Sequence, residues 1–366
     1  MQYDYLIVGA GFAGSVFAER LASQQNKKVL IVEKRNHIAG NAYDEYDKHG
    51  ILIHKYGPHI FHTNSKEVFE YLSQFTEWLP YEHKVLAKLN GSLYPIPINR
   101  VTVNKLYNKN FTTDLEVAEF FKSVRVERNP ILNSEDIIVN QVGYDLFEKF
   151  FRHYTKKQWD LEPRDLSPSV CGRIPIRFND DCRYFTDKYQ FMPKDGYTKM
   201  FEKMLSHKNI EVILNTDYKK IIEDIKFDKM IYTGPIDYFF DYEFGKLPYR
   251  SLKFNFENQL AEDFLDSASV NFVDESVPYT RVTEFKKITG QKSATTTVAY
   301  ERPVSTGPHY YPILTETNVK LYRKYFELSK KNKNVYFIGR LAEYKYYNMD
   351  QVVASCLRLF KKLSNN

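Results

Sequence analysis

Three stretches hold residue types at spacings that could do chemistry. YLIV (Tyr5 to Val8) runs straight into GAGFAG, which sets Gly9, Gly11 and Gly14 in a G-x-G-x-x-G pattern around Phe12 and Ala13. HKYGPHIFHT carries His54, His59 and His62, with Ile60 between the last two. Near the end, GRLAEYKYYNM puts Arg340, Tyr344, Tyr346, Tyr347 and Asn348 into eleven residues. In the first stretch each glycine has a physical task. Gly9 permits a tight turn, Gly11 lets a pyrophosphate approach the backbone, and Gly14 lets a helix pack closely on the strand. The next residues show helical spacing from Ser15 to Ser23 through Val16, Phe17 and Leu21, and a helix starting there points free N–H groups at the phosphates. A second apolar strand, KVLIVEK, contains Glu33, 19 residues beyond Gly14 and placed to accept from a ribose. Strand, glycines, helix, strand and acid in that order predict a dinucleotide site. Lys34, Arg35 and a second glycine turn, Gly40-Asn41-Ala42, follow at once and look like the extension with which flavoproteins wrap FAD. No later G-x-G-x-x-G occurs, so a single flavin dinucleotide is expected.

The histidines do not read as a metal site. Their spacing is not that of a helical H-x-x-x-H, the stretch has no Asp or Glu, and Cys171, Cys182 and Cys356 lie far off in sequence. They form either a hydrogen-bonded buried turn or a Gly-Pro loop that brings His59 and His62 to the flavin. FEKFFRHYTKKQWD gathers Phe147, Phe150, Phe151, Tyr154 and Trp159. Core packing is the default for Phe147 and Phe151, while Tyr154 and Trp159 flank a cationic segment where a planar base could stack. CGRIPIRFNDDCRYF places Arg173, Arg177 and Arg183 in eleven residues, either as solvated edge residues or as a clamp for phosphate oxygens. There is no Ser-His-Asp order, no H-E-x-x-H, no cysteine in a nucleophile motif and no evident carboxylate pair. Such a chain leaves the reaction to its cofactor and orients an anionic substrate.

The elements that must position these residues are partly legible. HKVLAKL-NG-SLYPIPI reads as a hairpin with a type I′ turn at Asn90-Gly91. Val103 to Trp159 turns helical, with Val117, Phe120, Phe121 and Val124 at helical spacing. NIEVILNTD and KMIYTGPID return to the dinucleotide-binding sheet, and LKFNF, ASVNFVD and TTTVAYERP predict an antiparallel sheet. The 52 Lys plus Arg against 46 Asp plus Glu leave a formal charge of +6, which suits a small anion and gives no nucleic-acid arm or membrane-surface helix. The three cysteines form no framework, the first strand begins without a signal peptide, and no apolar run is long enough to span a bilayer. A cytoplasmic protein is expected. The 29 tyrosines and 27 phenylalanines supply a core and many amphipathic groups for a pocket.

GAGFAGSVFAERLA, EKRNHIAGNAY, KYGPHIFHT, YTKKQW, RIPIRF, YTGPIDYFF, RSLKF, VPYTR and GRLAEYKYY resemble, in order and along the whole chain, the bacterial UDP-galactopyranose mutase family. The resemblance implies an α/β fold with α+β elements: a Rossmann-like FAD-binding domain, an inserted helical domain and a twisted antiparallel β-sheet domain. Their expected extents are residues 1–80, 205–245 and 318–366; 103–160; and 81–102, 161–204 and 246–317. It implies interconversion of UDP-galactopyranose and UDP-galactofuranose with no net redox change, FAD reduced by an unidentified reductant, a homodimer, and a role in cell-surface polysaccharide synthesis. N5 of the reduced flavin attacks the anomeric carbon, UDP leaves, the sugar opens and recloses through another hydroxyl, and UDP returns. Carried over by position, Arg173 and Arg281 bind the diphosphate, Arg173 from a mobile loop, and join His62 as the catalytic set. Phe150, Tyr154, Thr155 and Trp159 match the uridine segment, and Asn271 matches a substrate contact. Tyr184, Tyr311 and Tyr346 match phenols on the phosphates. His59, His62 and Ile60 match residues at the flavin, as do Arg340, Tyr347 and Asn348. An unperturbed phenol has a pKa of ~10, so it donates to phosphate without adding charge.

The chain departs from the family pattern in three places. Asn348 stands where Asp is usual, Asp160 where Gly is common beside Trp159, and MPKDGYT replaces a Gly-Gly turn. Two other readings share the fold. A flavin oxidase or desaturase of the amine-oxidase type needs an apolar tunnel, against which the Arg and Tyr constellation argues. A GDP-dissociation-inhibitor-like binding protein holds no flavin, against which the intact glycine motif, Glu33 and Gly40-Asn41-Ala42 argue.

Overall fold

The apolar run that opens the sequence shows no alternation because both of its faces are covered. In the computed structural model, which describes residues 2–364, Gln2–Val8 is the middle strand of a five-stranded parallel sheet. Val29–Val32 and Ile210–Ile213 lie on one side of it, Lys226–Tyr232 and Val335–Phe337 on the other. The first helix, Phe12–Gln25, starts inside the glycine motif, three residues earlier than its apolar spacing predicts. It packs on the C-terminal helix, Met349–Ser364, whose buried Val353, Cys356, Leu357 and Phe360 repeat at helical spacing.

The predicted helical unit comprises Arg100–Tyr107, Asp114–Val124, Ser134–Leu146 and His153–Trp159. Thr113 and Glu116 form a reciprocal capping box that starts the second of these. At Gly143 the backbone leaves helical geometry (φ 75°, ψ 176°), and a Cβ there would lie 2.1 Å from the carbonyl oxygen of Val124. Only glycine meets both demands. A π-helical turn over Phe147–Arg152 then re-aims the chain.

The third unit is a seven-stranded sheet in the order Tyr311–Pro312, Tyr249–Gln259, Thr296–Val304, Arg281–Glu284, Ser269–Phe272, Val85–Leu89, Ser92–Ile96. The hairpin turn has positive φ at both Asn90 (48°) and Gly91 (79°), as a type I′ turn demands. The sheet is not wholly antiparallel, because Ser269–Phe272 runs parallel to Val85–Leu89. These two strands come from distant parts of the chain and are joined by no hairpin, so nothing local fixes their direction. A small sheet of Phe61–Thr63, Tyr189–Pro193 and Trp78–Pro80 holds His62. Within 161–204, Leu166, Val170 and Cys171 pack into the helical core, and Met200, Phe201 and Met204 into the core around the first helix. Among the described residues no helix is long and apolar enough to cross a membrane, and no cluster of His, Cys, Asp and Glu could hold a metal ion.

Candidate active site

Two cavities open side by side. The smaller, ≈ 230 Å³, lies over the glycine motif, and the larger, ≈ 620 Å³, lies among the helical unit, the seven-stranded sheet and the start of the C-terminal helix. Asn41, His59, Arg340, Asn348 and Met349 line both and mark the boundary.

The smaller cavity fits a dinucleotide. Gly9 has φ +101°, and a Cβ there would sit 2.3 Å from Thr233 Oγ1. A Cβ on Gly14 would come within 1.9 Å of the Gly9 carbonyl oxygen, so Gly14 seats the helix on its strand and does not line the cavity. Gly11 faces Gly40, whose Cα would be 3.7 Å from an added Cβ, and nothing else crowds it. Gly11 is also the N-cap of the first helix and supplies no side-chain cap, so the helix's leading N–H groups stay available to an anion. Glu33 accepts the N–H groups of Ala10 (2.8 Å) and Arg35 (2.9 Å), one on each oxygen, which leaves lone pairs for ribose hydroxyls. Gly9, Gly11, Phe12, Ala13, Glu33, Lys34, Arg35, Gly40 and Asn41 all line this cavity, together with Tyr347. Sequence reasoning missed its far wall, where Tyr238 donates to Asp217 at 2.6 Å; single residues after short strands give no spacing signal.

The histidines divide between a buried, hydrogen-bonded turn and the wall of the larger cavity. His54 is buried and its Nδ1 accepts the backbone N–H of His59 at 3.0 Å. His59 is held neutral by burial, with its pKa pushed down to about 3, and its Nδ1 donates to the Gly57 carbonyl at 2.9 Å. His59, Ile60 and His62 line the larger cavity.

The rest of that cavity is built from several elements. Phe150, Tyr154, Thr155 and Trp159 step along one face of the re-aimed helix, with Phe151 and Gln158 in the gaps. Trp159 lies 6.0 Å from the Tyr311 ring and 5.8 Å from the Tyr346 ring, which are 5.0 Å from each other. The Arg173 guanidinium stacks over Tyr346 at 3.9 Å and donates to Asn348 Oδ1 at 2.8 Å. Arg281 donates to Asn271 Oδ1 (3.2 Å) and to the Tyr154 hydroxyl (3.3 Å), with the Glu301 carboxylate 4.0 Å away. Arg340 donates to the carbonyls of Tyr347 (3.1 Å) and Tyr310 (3.2 Å). Burial pushes the Tyr154 phenol up to about 12 and raises Tyr184 and Tyr311, so these groups stay neutral donors. Burial also raises the Glu301 carboxyl, against the neighbouring Arg281 charge, which acts to lower it.

The structure divides the remaining candidates. Arg177 is buried, spending its donors on the carbonyls of Asp181 (2.9 Å) and Tyr184 (3.3 Å), and Arg183 pairs with Asp181 and Glu82. Tyr344 is core, donating to Pro248 O at 2.6 Å. Asp160 sits in the left-handed region (φ 59°) as the C-cap of the Trp159 helix, which is why glycine suits that position. Its carboxylate reaches Ser305 Oγ (3.3 Å) and Arg250 (3.5 Å), and Arg250 donates to the helix's Gln158 carbonyl at 3.0 Å. Glu301, Asp187, His83 and Tyr310 line the cavity and were missed. Only Glu301 carried a signal, a lone carboxylate in an apolar strand.

A model of the UDP-galactopyranose mutase family matches residues 149–346, over half the chain, and an NAD(P)-binding Rossmann-like domain matches residues 7–75. The chain is 37% identical over 374 residues to the dTDP-fucopyranose mutase of Escherichia coli, covering 98% of each. It is 35% identical over 388 residues to the UDP-galactopyranose mutase of Mycoplasma genitalium, covering 99% of this chain and 95% of that one. A crystal structure of reduced UDP-galactopyranose mutase shares the fold with a TM-score of 0.81 at 14% identity, covering 100% of this chain and 94% of the other. By family model and by near full-length identity, the chain belongs to the UDP-galactopyranose mutase family.

Proposed function

We propose that this protein is a flavin-dependent mutase that interconverts UDP-galactopyranose and UDP-galactofuranose, with FAD running from the smaller cavity across the boundary toward His59, Ile60 and His62, and the nucleotide sugar in the larger cavity. The observation that carries this reading is a cavity rich in arginine and neutral phenol that adjoins a dinucleotide cradle. Bound and reduced, FAD would supply the nucleophile through N5, attacking the anomeric carbon with no net redox change. This chain's own residues bind and orient. Arg173 and Arg281 hold the diphosphate, and the Tyr184, Tyr311 and Tyr346 hydroxyls donate to its oxygens without adding charge. Phe150, Tyr154, Thr155, Trp159 and Asn271 hold the nucleoside. Glu33, the glycine turn and Arg340 with Tyr347 and Asn348 hold the cofactor, and His59 stays neutral at the boundary. The same reading carries the three-domain division given above and a cytoplasmic homodimer that draws on a cellular reductant.

The likeness to a dTDP-fucopyranose mutase favours a second substrate, since both relatives match over nearly the whole chain at comparable identity. The test is to incubate the reduced holoenzyme with UDP-galactofuranose and, separately, dTDP-fucofuranose, and to resolve the products chromatographically. Conversion of the first at the higher kcat/KM supports the proposal. A preference for the second moves the substrate to the deoxy sugar, and no conversion of either removes the reading.

A further inference from the structure

His62, which the family resemblance sets in the catalytic group beside the flavin, pairs with Asp187, a residue given no role above. His62 lies on the strand Phe61–Thr63, opposite Gln190 in the neighbouring strand. Its Nδ1 is 2.9 Å from Asp187 Oδ2, and its ring stacks on Phe185 with centroids 3.6 Å apart. The pair is largely enclosed, with side-chain exposures of 11% for His62 and 23% for Asp187. Among the described residues Nε2 has no hydrogen-bond partner, and the ring lines the larger cavity.

The orientation of the amide beside this pair is set from outside it. The backbone N–H of Lys188 can only donate, and it donates to Asn64 Oδ1 at 2.9 Å. The Asn64 amide is thereby fixed with its nitrogen toward Asp187, where it donates to Oδ1 at 2.7 Å. As a carboxylate Asp187 has no proton to give, so it accepts on both oxygens and the proton it shares with His62 sits on Nδ1. A neutral imidazole carries one N–H, which leaves Nε2 as a bare acceptor.

We infer that Asp187 is a positioning residue: the chain from Lys188 through Asn64 and Asp187 holds His62 as the Nδ1–H tautomer, so that Nε2 accepts a hydroxyl proton from the bound sugar. This rests on the mutase reading. In that reaction one hydroxyl loses its proton as its oxygen bonds the anomeric carbon, and the former ring oxygen gains a proton as its bond breaks. Opening comes first, so Nε2 takes the proton released as the nucleophile bonds the anomeric carbon and gives it to the former ring oxygen as that bond breaks. On closure it takes the hydroxyl's proton and returns it to the departing nucleophile.

The geometry gives Asp187→Asn an unusual signature. Asn64 still donates toward position 187, so the new amide must present its oxygen to Asn64 and its NH2 to His62. That forces Nδ1 to accept and puts the proton on Nε2, the wrong tautomer. Asp187→Ala imposes no tautomer. The isosteric Asn variant is therefore more damaging than Ala, the reverse of what a merely structural role gives. The expected loss in kcat is about a hundredfold or more for Asp187→Asn, with KM little changed. Asn64→Ala added to Asp187→Asn frees the amide to turn over and restores part of that loss.

The experiment combines kcat for these variants with 15N spectra of histidine-labelled holoenzyme, the His62 signals being assigned by their loss in His62→Gln. Wild type showing the proton on His62 Nδ1, Asp187→Asn showing it on Nε2, and kcat falling in the order wild type, Ala, Asn supports the inference. A His62 Nε2–H tautomer in wild type, or an Asn variant as active as the Ala variant, overturns it. A wild-type enzyme that converts neither nucleotide sugar sinks the substrate reading alone, because the spectra still decide the tautomer.

Discussion

Arg281 shows how a site residue is made from strand geometry. Its guanidinium donates to Asn271 from the adjacent strand and to Tyr154 from the helical unit, so one side chain joins the two walls of the cavity. Lysine keeps the charge but cannot form both bonds from a planar fork. Arg281→Lys is expected to weaken UDP binding by at least tenfold in calorimetric titration, while the folded protein remains intact. Asn348 gives a prediction of opposite character. It now offers Arg173 a neutral amide oxygen at 2.8 Å. Asn348→Asp turns that contact into a charged pair, which under the proposed function competes with the diphosphate for the same guanidinium. UDP affinity is expected to fall by several-fold, and more at low salt than at high. At this scale the sequence was legible wherever a motif fixed the spacing, as in the glycine turn or the four-residue steps from Phe150 to Trp159. Asp187 was not legible, because its contacts with Asn64 and His62 form only where the ends of two strands distant in sequence lie side by side.

Among the elements, packing distances separate residues that the motif treats alike. Gly14→Ala drives a Cβ to 1.9 Å from the Gly9 carbonyl, so the first helix must lift from its strand. Chemical denaturation should show a cost of at least ~2 kcal/mol, together with loss of flavin on gel filtration. Gly11→Ala leaves its Cβ 3.7 Å from the nearest atom, so it should keep stability while weakening flavin retention, which is read from absorbance. The loop after Phe272 is held in a different way. The Lys157 ammonium lies within hydrogen-bond distance of four carbonyls, those of Phe272 (2.7 Å), Asp274 (2.6 Å), Val277 and Tyr279 (both 3.2 Å), and shares its three N–H groups among them. It thus ties the helix bearing Tyr154 and Trp159 to the hairpin bearing Asn271 and Arg281. The Asn-Gly hairpin could be read in advance because its turn chemistry is local. The parallel pairing of Ser269–Phe272 could not, and neither could the four-residue helix Pro168–Cys171, which is too short to carry a period.

For the whole molecule, the chain buries titratable groups where its units meet, and this makes stability depend on pH. Burial lowers His54, His59 and His83 from 6.5 to about 3. The unfolded chain therefore binds more protons between those values. The stability these groups contribute is full above about 6.5 and is lost as the pH falls toward 3. Burial raises Asp44, Asp237 and Glu301, which act in the opposite sense, so a single substitution is the cleaner probe. His54→Asn keeps an acceptor for the His59 N–H and removes one titrating ring. Between pH 6 and 4 its unfolding free energy should depend on pH less steeply than wild type, by about one proton. The fold class was readable from the order of strand, glycine motif, helices and sheet. How segments of residues 161–204 divide between two cores was not, because long-range burial decides it.

The most direct measurement is turnover of UDP-galactofuranose by one preparation of holoenzyme, divided into air-oxidised and dithionite-reduced samples. Many turnovers per flavin are expected in the reduced sample, none in the oxidised one, and no consumption of reductant in step with product. Conversion that is indifferent to the flavin's redox state, or hydrogen peroxide formed in proportion to substrate lost, would contradict it.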